Sequence, residues 1–474
     1  MSARIARCLG RVSLAPALAG LALSASAPGQ GRLDASVATA IDVGPSSRAA
    51  VQAASAQGEA SLFVATFDAA WRIVRDTHFD PAFDGVDWDA VRRELRPRAE
   101  AARDVETLRK VIGEMLGRLG ASHFVLLPGG AAPGTSGTDG SAGPWLDVRW
   151  TGDALLVVEV QPDGPAARAG VRPGWLLRRI DGEPVEAFAS PLAATLPPRL
   201  ARVEIWRAVA DRLAGPPGSR VELVFEDEDG TSRAVALERR RLPGEPAKIG
   251  SLPAIALRTE RRWLTTDGGR RVGYLRFNAW MPAVDRFVTT AVAEFREADA
   301  LVLDLRGNTG GLAAMLMGVA GHFLDSRISL GTMRTREGVL QFVANPRRAA
   351  ADGSRVEPYG GPLAILVDAL TGSASECFAG GMQAIGRARI FGERSMGQAL
   401  PALFDRLPNG DVLIHAYGDF TTPKGTRLEG EGVVPDEVVP SGRAELIAGR
   451  DAVLEAALRW VDRCGGTRRH ANCE

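Results

Sequence analysis

The sequence predicts a multidomain α/β protein, and three observations carry that prediction. Apolar residues recur at helical spacing between residues 62 and 119, short apolar runs separated by glycine and proline turns fill 144 to 240, and strand-like and helix-like segments alternate from Arg271 onward. At 474 residues, 45% hydrophobic and 24% charged, the chain is long enough for two or three packed domains. Lys plus Arg and Asp plus Glu both number 57, so no net field draws the protein to nucleic acid or to an anionic membrane surface.

Taken in order, Arg4, Arg7 and Arg11 precede an apolar stretch from Val12 to Leu23 and then Ala25-Ser26-Ala27. This is the order of a secretory signal peptide, so residues 1–27 are read as one, with cleavage after Ala27 or after Ala25. The mature protein is expected to be periplasmic or secreted, with no integral membrane span. Residues 28–60, rich in Ala, Ser and Gly, read as a flexible tether. An N-terminal helical domain is expected over 61–127, where Phe63, Phe67, Trp71 and Val74 share one face, followed by Trp88, Val91 and Leu95 and then Leu108, Ile112, Leu116 and Leu119. Residues 128–143 form a low-complexity linker too poor in apolar groups to order itself.

Over 144–240 the sequence gives a strand at Leu155–Val160, a short helix from Gly164 to Gly170 and a further strand ending in a tight Asp181-Gly182 turn. Later strands follow at Val221–Phe225 and Arg233–Leu237. This β-rich segment resembles a PDZ domain, which implies capture of extended peptide tails by strand addition. Pro144 and Trp145 depart from the glycine-rich pattern of the usual carboxylate-binding loop. A connecting segment, 241–270, leads to an α/β domain over 271–462 and a tail over 463–474. Its expected strands are Val272–Phe277, Ala300–Leu305, Leu363–Val367 and Arg389–Phe391; Asp285–Ala298 and Asp451–Val461 read as helices, and Asp411–Tyr417 as a hairpin strand.

Within the α/β domain the strand around Ile365 runs into Thr371-Gly-Ser-Ala-Ser375 and then an amphipathic helix. A serine at a strand-to-helix turn has its hydroxyl exposed and backbone N–H groups beside it, and Ser375 is taken as the candidate nucleophile. A second small-residue turn, Asp304-Leu-Arg-Gly-Asn-Thr-Gly-Gly311, brings backbone N–H groups close to a substrate carbonyl. Asp304 and Arg306 are read as a structural ion pair. Of five histidines, His123 stands out beside Ser122 at the end of the helical segment. Among four cysteines, Cys8 leaves with the signal, Cys377 reads as a small core residue, and Cys464 and Cys473 are near enough to close a small loop. No cysteine pair has metal-ligand spacing, and neither a metal nor a cofactor is expected.

Five motifs then occur in a telling order: Tyr274-Leu-Arg-Phe, Leu303-Asp-Leu-Arg-Gly-Asn-Thr-Gly-Gly, Thr371-Gly-Ser-Ala-Ser-Glu, Gly386-Arg-Ala-Arg-Ile-Phe-Gly-Glu-Arg and Leu428-Glu-Gly-Glu-Gly-Val-Val-Pro-Asp. Over residues 62–462 the chain resembles the S41 peptidase family, the C-terminal processing and tricorn-like serine proteases. The resemblance implies a ClpP/crotonase-like catalytic domain and an acyl-enzyme mechanism on protein or peptide substrates, unfolded or tail-exposed. The family's Ser-Lys dyad is not supported, because Gln398 stands at the lysine position and an amide takes up no proton; Lys424 is read as part of a turn. The tricorn-like scheme fits instead. It implies His123 as general base, with Ser122 and Glu429 orienting it, or Glu431 in place of Glu429, and an oxyanion hole from the N–H of Glu376 with that of Gly310 or Gly311. The alternative is a catalytically inactive peptide- or ligand-binding protein on the same scaffold.

Overall fold

The computed structural model describes residues 45–129, 142–248, 254–350 and 352–464. The expected signal peptide, most of the expected linker and Cys473 lie outside these residues. The chain divides into two units, 1–54 and 55–474, and every sheet belongs to the second.

Helix α1 spans Pro45–Thr77, so the second half of the segment expected to be a tether is helical. Its alanine content explains this, since alanine costs least to hold in a helix. Helices α2 (Trp88–Glu100) and α3 (Val105–Gly117) start on aspartate caps: Asp87 accepts from Ala90 N at 2.8 Å and Asp104 from Thr107 N at 2.6 Å. Trp71 and Trp88 exchange indole N–H bonds to each other's carbonyls at 3.0 and 3.1 Å. The apolar faces meet as the helical spacing requires, but the core they form also takes in Leu400, Leu407, Leu413 and Ala416. Strand β1 (Val125–Leu127) pairs with residues 412–414, so the helical segment is built onto a hairpin from much later in the chain.

The β-rich segment holds β2 (Leu146–Trp150), β3 (Leu155–Val160), helix α4 (Pro165–Arg168), β4 (Leu176–Ile180), helices α5 (Val185–Thr195) and α6 (Pro198–Leu213), β5 (Arg220–Glu226) and β6 (Ser232–Glu238). The five strands form an antiparallel sheet in chain order. Asp181 and Gly182 both have positive φ, 46° and 81°, in a two-residue hairpin turn, a conformation that suits the strand twist. Helix α6 is absent from the sequence reading.

The remaining chain supplies β7 (Thr259–Thr265), β8 (Arg271–Phe277), α7 (Ala283–Glu294), β9 (Ala300–Asp304), α8 (Met315–Ala320), the hairpin β10 (Ile328–Thr335) and β11 (Val339–Ala344), β12 (Leu363–Val367), α9 (Ala374–Ala384), β13 (Arg389–Gly392), β14 (Ala402–Arg406), β15 (Val412–Ala416), β16 (Gly418–Thr421), β17 (Glu437–Val438), α10 (Arg443–Ile447) and α11 (Ala452–Arg463). The main sheet runs β7–β8–β9–β12–β13–β17, antiparallel between β7 and β8 and parallel elsewhere. Successive residues alternate between its faces. Leu275, Leu301, Leu303, Ile365 and Ile390 pack with α7, α8 and α9, while Val272, Val302, Ala364, Leu366 and Phe391 pack with α11. Cys464, after α11, is disulfide-bonded, and Cys377 is buried with a free thiol.

Candidate active site

Parallel strands deliver their carboxyl ends, and the turns that follow them, to one edge of the sheet. Here three turns meet: residues 278–281 after β8, 305–312 after β9 and 368–373 after β12. Buried Asn308 joins the first two, donating from Nδ2 to Phe277 O at 2.8 Å. The Gly372 N–H donates to Asn308 O at 3.0 Å and so joins the third. Asp368 Oδ1 accepts from the Gly307 N–H at 2.9 Å and the Leu370 N–H at 3.1 Å, while its Oδ2 takes Arg149 of β2 at 2.8–2.9 Å.

Ser375 is not placed as an attacking oxygen. It lies in the first turn of α9, fully buried, and its Oγ accepts the indole N–H of Trp280 at 2.8 Å. Two residues earlier, Ser373 is the N-cap of α9 and only partly buried. Its backbone is left-handed, with φ 51° and ψ −118°, a strained conformation for a residue with a side chain and one that concentrates at functional sites. A Cβ on Gly310 would fall 2.6 Å from the Ser373 Cβ, so the glycine turn comes up against this serine. Sequence reasoning took Ser375 over Ser373 because the two serines of Ser-Ala-Ser are chemically alike; backbone conformation, burial and the Trp280 bond separate them.

Ser122, His123 and Glu429 are brought together as expected. The Ser122 N–H donates to Glu429 Oε1 at 2.8 Å, the Ser122 hydroxyl donates to Glu429 Oε2 at 2.8 Å, and Ser122 Oγ lies 2.7 Å from His123 Nδ1. Because the Ser122 proton points at the carboxylate, its oxygen accepts the Nδ1 proton of His123, which leaves Nε2 with a free lone pair. Burial, reinforced by the cation of Arg207, pushes the His123 imidazolium down to about 4, so the ring is neutral at pH 7. Glu429 Oε2 also receives the Ala399 N–H at 2.9 Å, while Glu431 faces solvent in an ion pair with Arg394. Gln398 Oε1 accepts from Arg207 of α6 at 3.1 Å, and Lys424 sits exposed in a turn closed by Gly425 N to Thr422 O. Among the described residues, no hydrogen bond joins His123 to Ser373 or Ser375.

Two of the three expected oxyanion donors are engaged elsewhere. The Gly310 N–H goes to Asn308 Oδ1 at 3.0 Å and that of Glu376 to Ser373 O at 2.9 Å. Among the described residues, the N–H groups of Gly311 and Ala374 make no hydrogen bond, and Ala374 begins α9. The Glu376 carboxylate, fully buried, instead gathers four donors: Ser395 Oγ at 2.6 Å and the N–H groups of Gly397 at 2.5 Å, Gln398 at 3.0 Å and Ser373 at 3.1 Å. Burial pushes its carboxyl up to about 7 against the pull of those donors. Asp304 and Arg306 form the expected structural pair, completed by Asp451 at 2.7 Å and the Tyr274 hydroxyl at 2.8 Å. Among the described residues, no cluster of His, Cys, Asp and Glu is arranged to hold a metal, and no helix is long and apolar enough to cross a membrane.

Comparison with known proteins agrees with this architecture. Residues 271–439 match the model of peptidase family S41, and residues 64–117 match that of the tricorn protease C1 domain. The carboxyl-terminal-processing protease of Picosynechococcus sp. is 28% identical over 399 residues, covering 82% of this chain and 87% of its own length. The chloroplastic carboxyl-terminal-processing peptidase 2 of Arabidopsis thaliana is 28% identical over 387 residues, covering 78% and 68%. In fold, the chain is similar to the photosystem II D1 C-terminal processing protease, with a TM-score of 0.56 at 23% identity over 86% of this chain and 99% of that one. The α/β sheet thus matches peptidase family S41 and the helical segment matches the tricorn protease C1 domain, in the order the sequence motifs led one to expect.

Proposed function

We propose that the protein is an exported serine endopeptidase that cleaves unfolded or tail-exposed protein substrates through an acyl-enzyme, with His123 as general base. The observation that carries this reading is the Glu429–Ser122–His123 chain, two bonds of 2.8 and 2.7 Å that fix the imidazole with Nε2 unprotonated. The nucleophile in this reading is Ser373 rather than Ser375, whose hydroxyl serves the Trp280 indole. Ser373 Oγ attacks the peptide carbonyl carbon as His123 Nε2 takes its proton, and the oxyanion receives the N–H groups of Ala374 and Gly311. Collapse breaks the C–N bond and His123 protonates the departing amine. A water molecule, deprotonated by His123, then frees the new carboxylate and restores Ser373. The His123–Ser373 bond is one that forms on substrate binding, as catalytic hydrogen bonds in free enzymes often do.

The β-rich segment is the PDZ-like part of this reading and captures the substrate tail. Its helix α6 rests on the loops that hold the site: Arg199 reaches Gly430 O, Arg202 pairs with Glu393 at 3.0 Å and Arg207 meets Gln398 at 3.1 Å. Capture there bears directly on the loop beside Ser373, whose N–H donates to Gln398 O at 2.8 Å. Export rests on the first 27 residues and on the order of their charges and apolar run.

A fluorophosphonate probe, applied to protein lacking residues 1–27 and read by intact mass and peptide mapping, tests the assignment. Label is expected on Ser373 and is lost in Ser373→Ala and in His123→Ala. Label that persists in Ser373→Ala and disappears in Ser375→Ala returns the role to Ser375. A folded wild type that neither labels nor cleaves an unfolded protein favours the peptide-binding alternative.

A further inference from the structure

Trp280 stands between the two parts of the site that must keep a fixed distance. It is fully buried in the turn after β8, and its backbone grips the glycine turn on both sides of Gly311. The Trp280 N–H donates to Gly310 O at 2.9 Å, the Leu312 N–H donates to Trp280 O at 2.8 Å, and Trp280 and Gly311 form a parallel bridge. The approach is so close that a Cβ on Gly311, which has φ +140°, would lie 2.5 Å from the Trp280 carbonyl oxygen. The side chain of the same residue grips α9. Its indole N–H donates to Ser375 Oγ at 2.8 Å, and its ring packs against Phe378 with centroids 5.1 Å apart and against Phe277 of β8 at 4.9 Å.

We infer that Trp280 is a positioning residue that sets the distance between the Gly311 N–H and the Ser373 hydroxyl, with Ser375 as its anchor on α9. This rests on Ser373 being the nucleophile. A buried indole N–H needs an acceptor, and Ser375 Oγ, two residues from Ser373, is the one it has. Through that bond a shift of α9 is resisted by the residue whose backbone carries the oxyanion turn. The mechanism otherwise leaves Ser375 without a task. A polar side chain buried in the first turn of the nucleophile helix, spent on an indole from a different turn, has the placement of a strut between the two. The effect of cutting such a strut falls on the rate of the chemical step, because misplacement of about 1 Å between nucleophile and oxyanion donors costs up to about a hundredfold in rate without changing the surfaces that bind substrate.

Trp280→Phe keeps a ring in the core and removes the N–H; Ser375→Ala removes the acceptor. In protein lacking residues 1–27, each is expected to lower kcat on a peptide substrate by about tenfold or more with KM within about twofold. The double variant is expected to be no slower than the slower single variant, since both changes cut one bond. The rate of Ser373 labelling by a fluorophosphonate provides the same comparison without turnover, and thermal melting confirms that each variant folds. Hydrogen exchange of the Trp280 indole proton, followed by NMR, is expected to quicken in Ser375→Ala. Unchanged kcat and labelling rate in folded variants, or losses that multiply in the double variant, overturn the positioning role while leaving the peptidase reading intact. Label found on Ser375 overturns both the role and the choice of nucleophile, and a wild type that neither labels nor cleaves sinks the peptidase reading and this inference with it.

Discussion

Ser122 makes two bonds that decide what His123 does: it donates to Glu429 and accepts from Nδ1. Ser122→Ala releases the ring from its tautomer, and kcat/KM measured on a peptide is expected to fall on the order of a hundredfold or more, while loss of less than threefold removes Ser122 from the machinery. The pH profile follows from the imidazole's environment. Held down to about 4 by burial and by Arg207, His123 stays in its basic form well below the usual histidine range, so the acid limb of kcat/KM is expected near pH 4. Arg207→Gln removes a cation that disfavours imidazolium, so this limb is expected to move up, toward 6.5. That Ser122, His123 and Glu429 meet was legible through the motifs of the family the sequence resembles. The choice between Ser373 and Ser375 was not legible, because the two are chemically identical and differ only in backbone conformation, burial and the Trp280 bond.

At the scale of elements, the site depends on loops clamped by buried carboxylates and on glycines that no other residue replaces. Glu376 satisfies four donors with two oxygens, and Glu376→Gln turns an amide NH2 toward N–H groups that need an acceptor. The expected cost is about 3 kcal/mol in urea denaturation, with loss of activity at temperatures where the fold persists. Gly310→Ala combines φ +113° with a Cβ 2.6 Å from that of Ser373, and is expected to abolish labelling of Ser373 while leaving the circular dichroism spectrum of the folded protein. Four of the six strands of the main sheet, β8, β9, β12 and β13, were legible because short apolar runs bounded by turns leave few other readings, whereas β7, a charged edge strand in the segment read as a connection, and β17, two residues long, were not. Helix α6 was not. Its Pro-Pro start and its run of arginines look like a polar connection, and although Ala201, Ile205, Val209 and Leu213 share one face, Leu200, Val203 and Ala210 on other sides blur the stripe.

Across the molecule, the β-rich segment is joined to the α/β domain by ion pairs. Arg149 meets Asp368 at 2.8 Å, Arg276 meets Glu159 at 2.6 Å, and Arg443 reaches Glu226 at 3.3 Å. The first is the one that bears on the site, because Asp368 holds both the Gly307 turn and the turn before Ser373. Arg149→Ala leaves that partly buried carboxylate without its cation. Faster amide exchange is expected in 304–312 and 368–373 together, and exchange confined to 144–240 contradicts the coupling. A cavity of about 480 Å³ lies along the same junction, lined by Arg149, Glu159, Arg276 and Asp451 among others, these four each held in an ion pair.

Ser122 and Glu429 are 307 residues apart, and the core of the helical segment is completed by Leu400 to Ala416. A nascent chain therefore carries Ser122 and His123 long before it has the carboxylate that holds them. Until residue 429 has been made, Ser122 lacks the acceptor that fixes the His123 tautomer and, in the proposed mechanism, Ser373 has no oriented base. Contacts of such separation also form slowly, because a long loop must close before they give anything back. In the proposed mechanism, latency during synthesis follows from the order in which the chain spells out its site, and a truncation that removes Glu429 is expected to yield a protein that does not cleave.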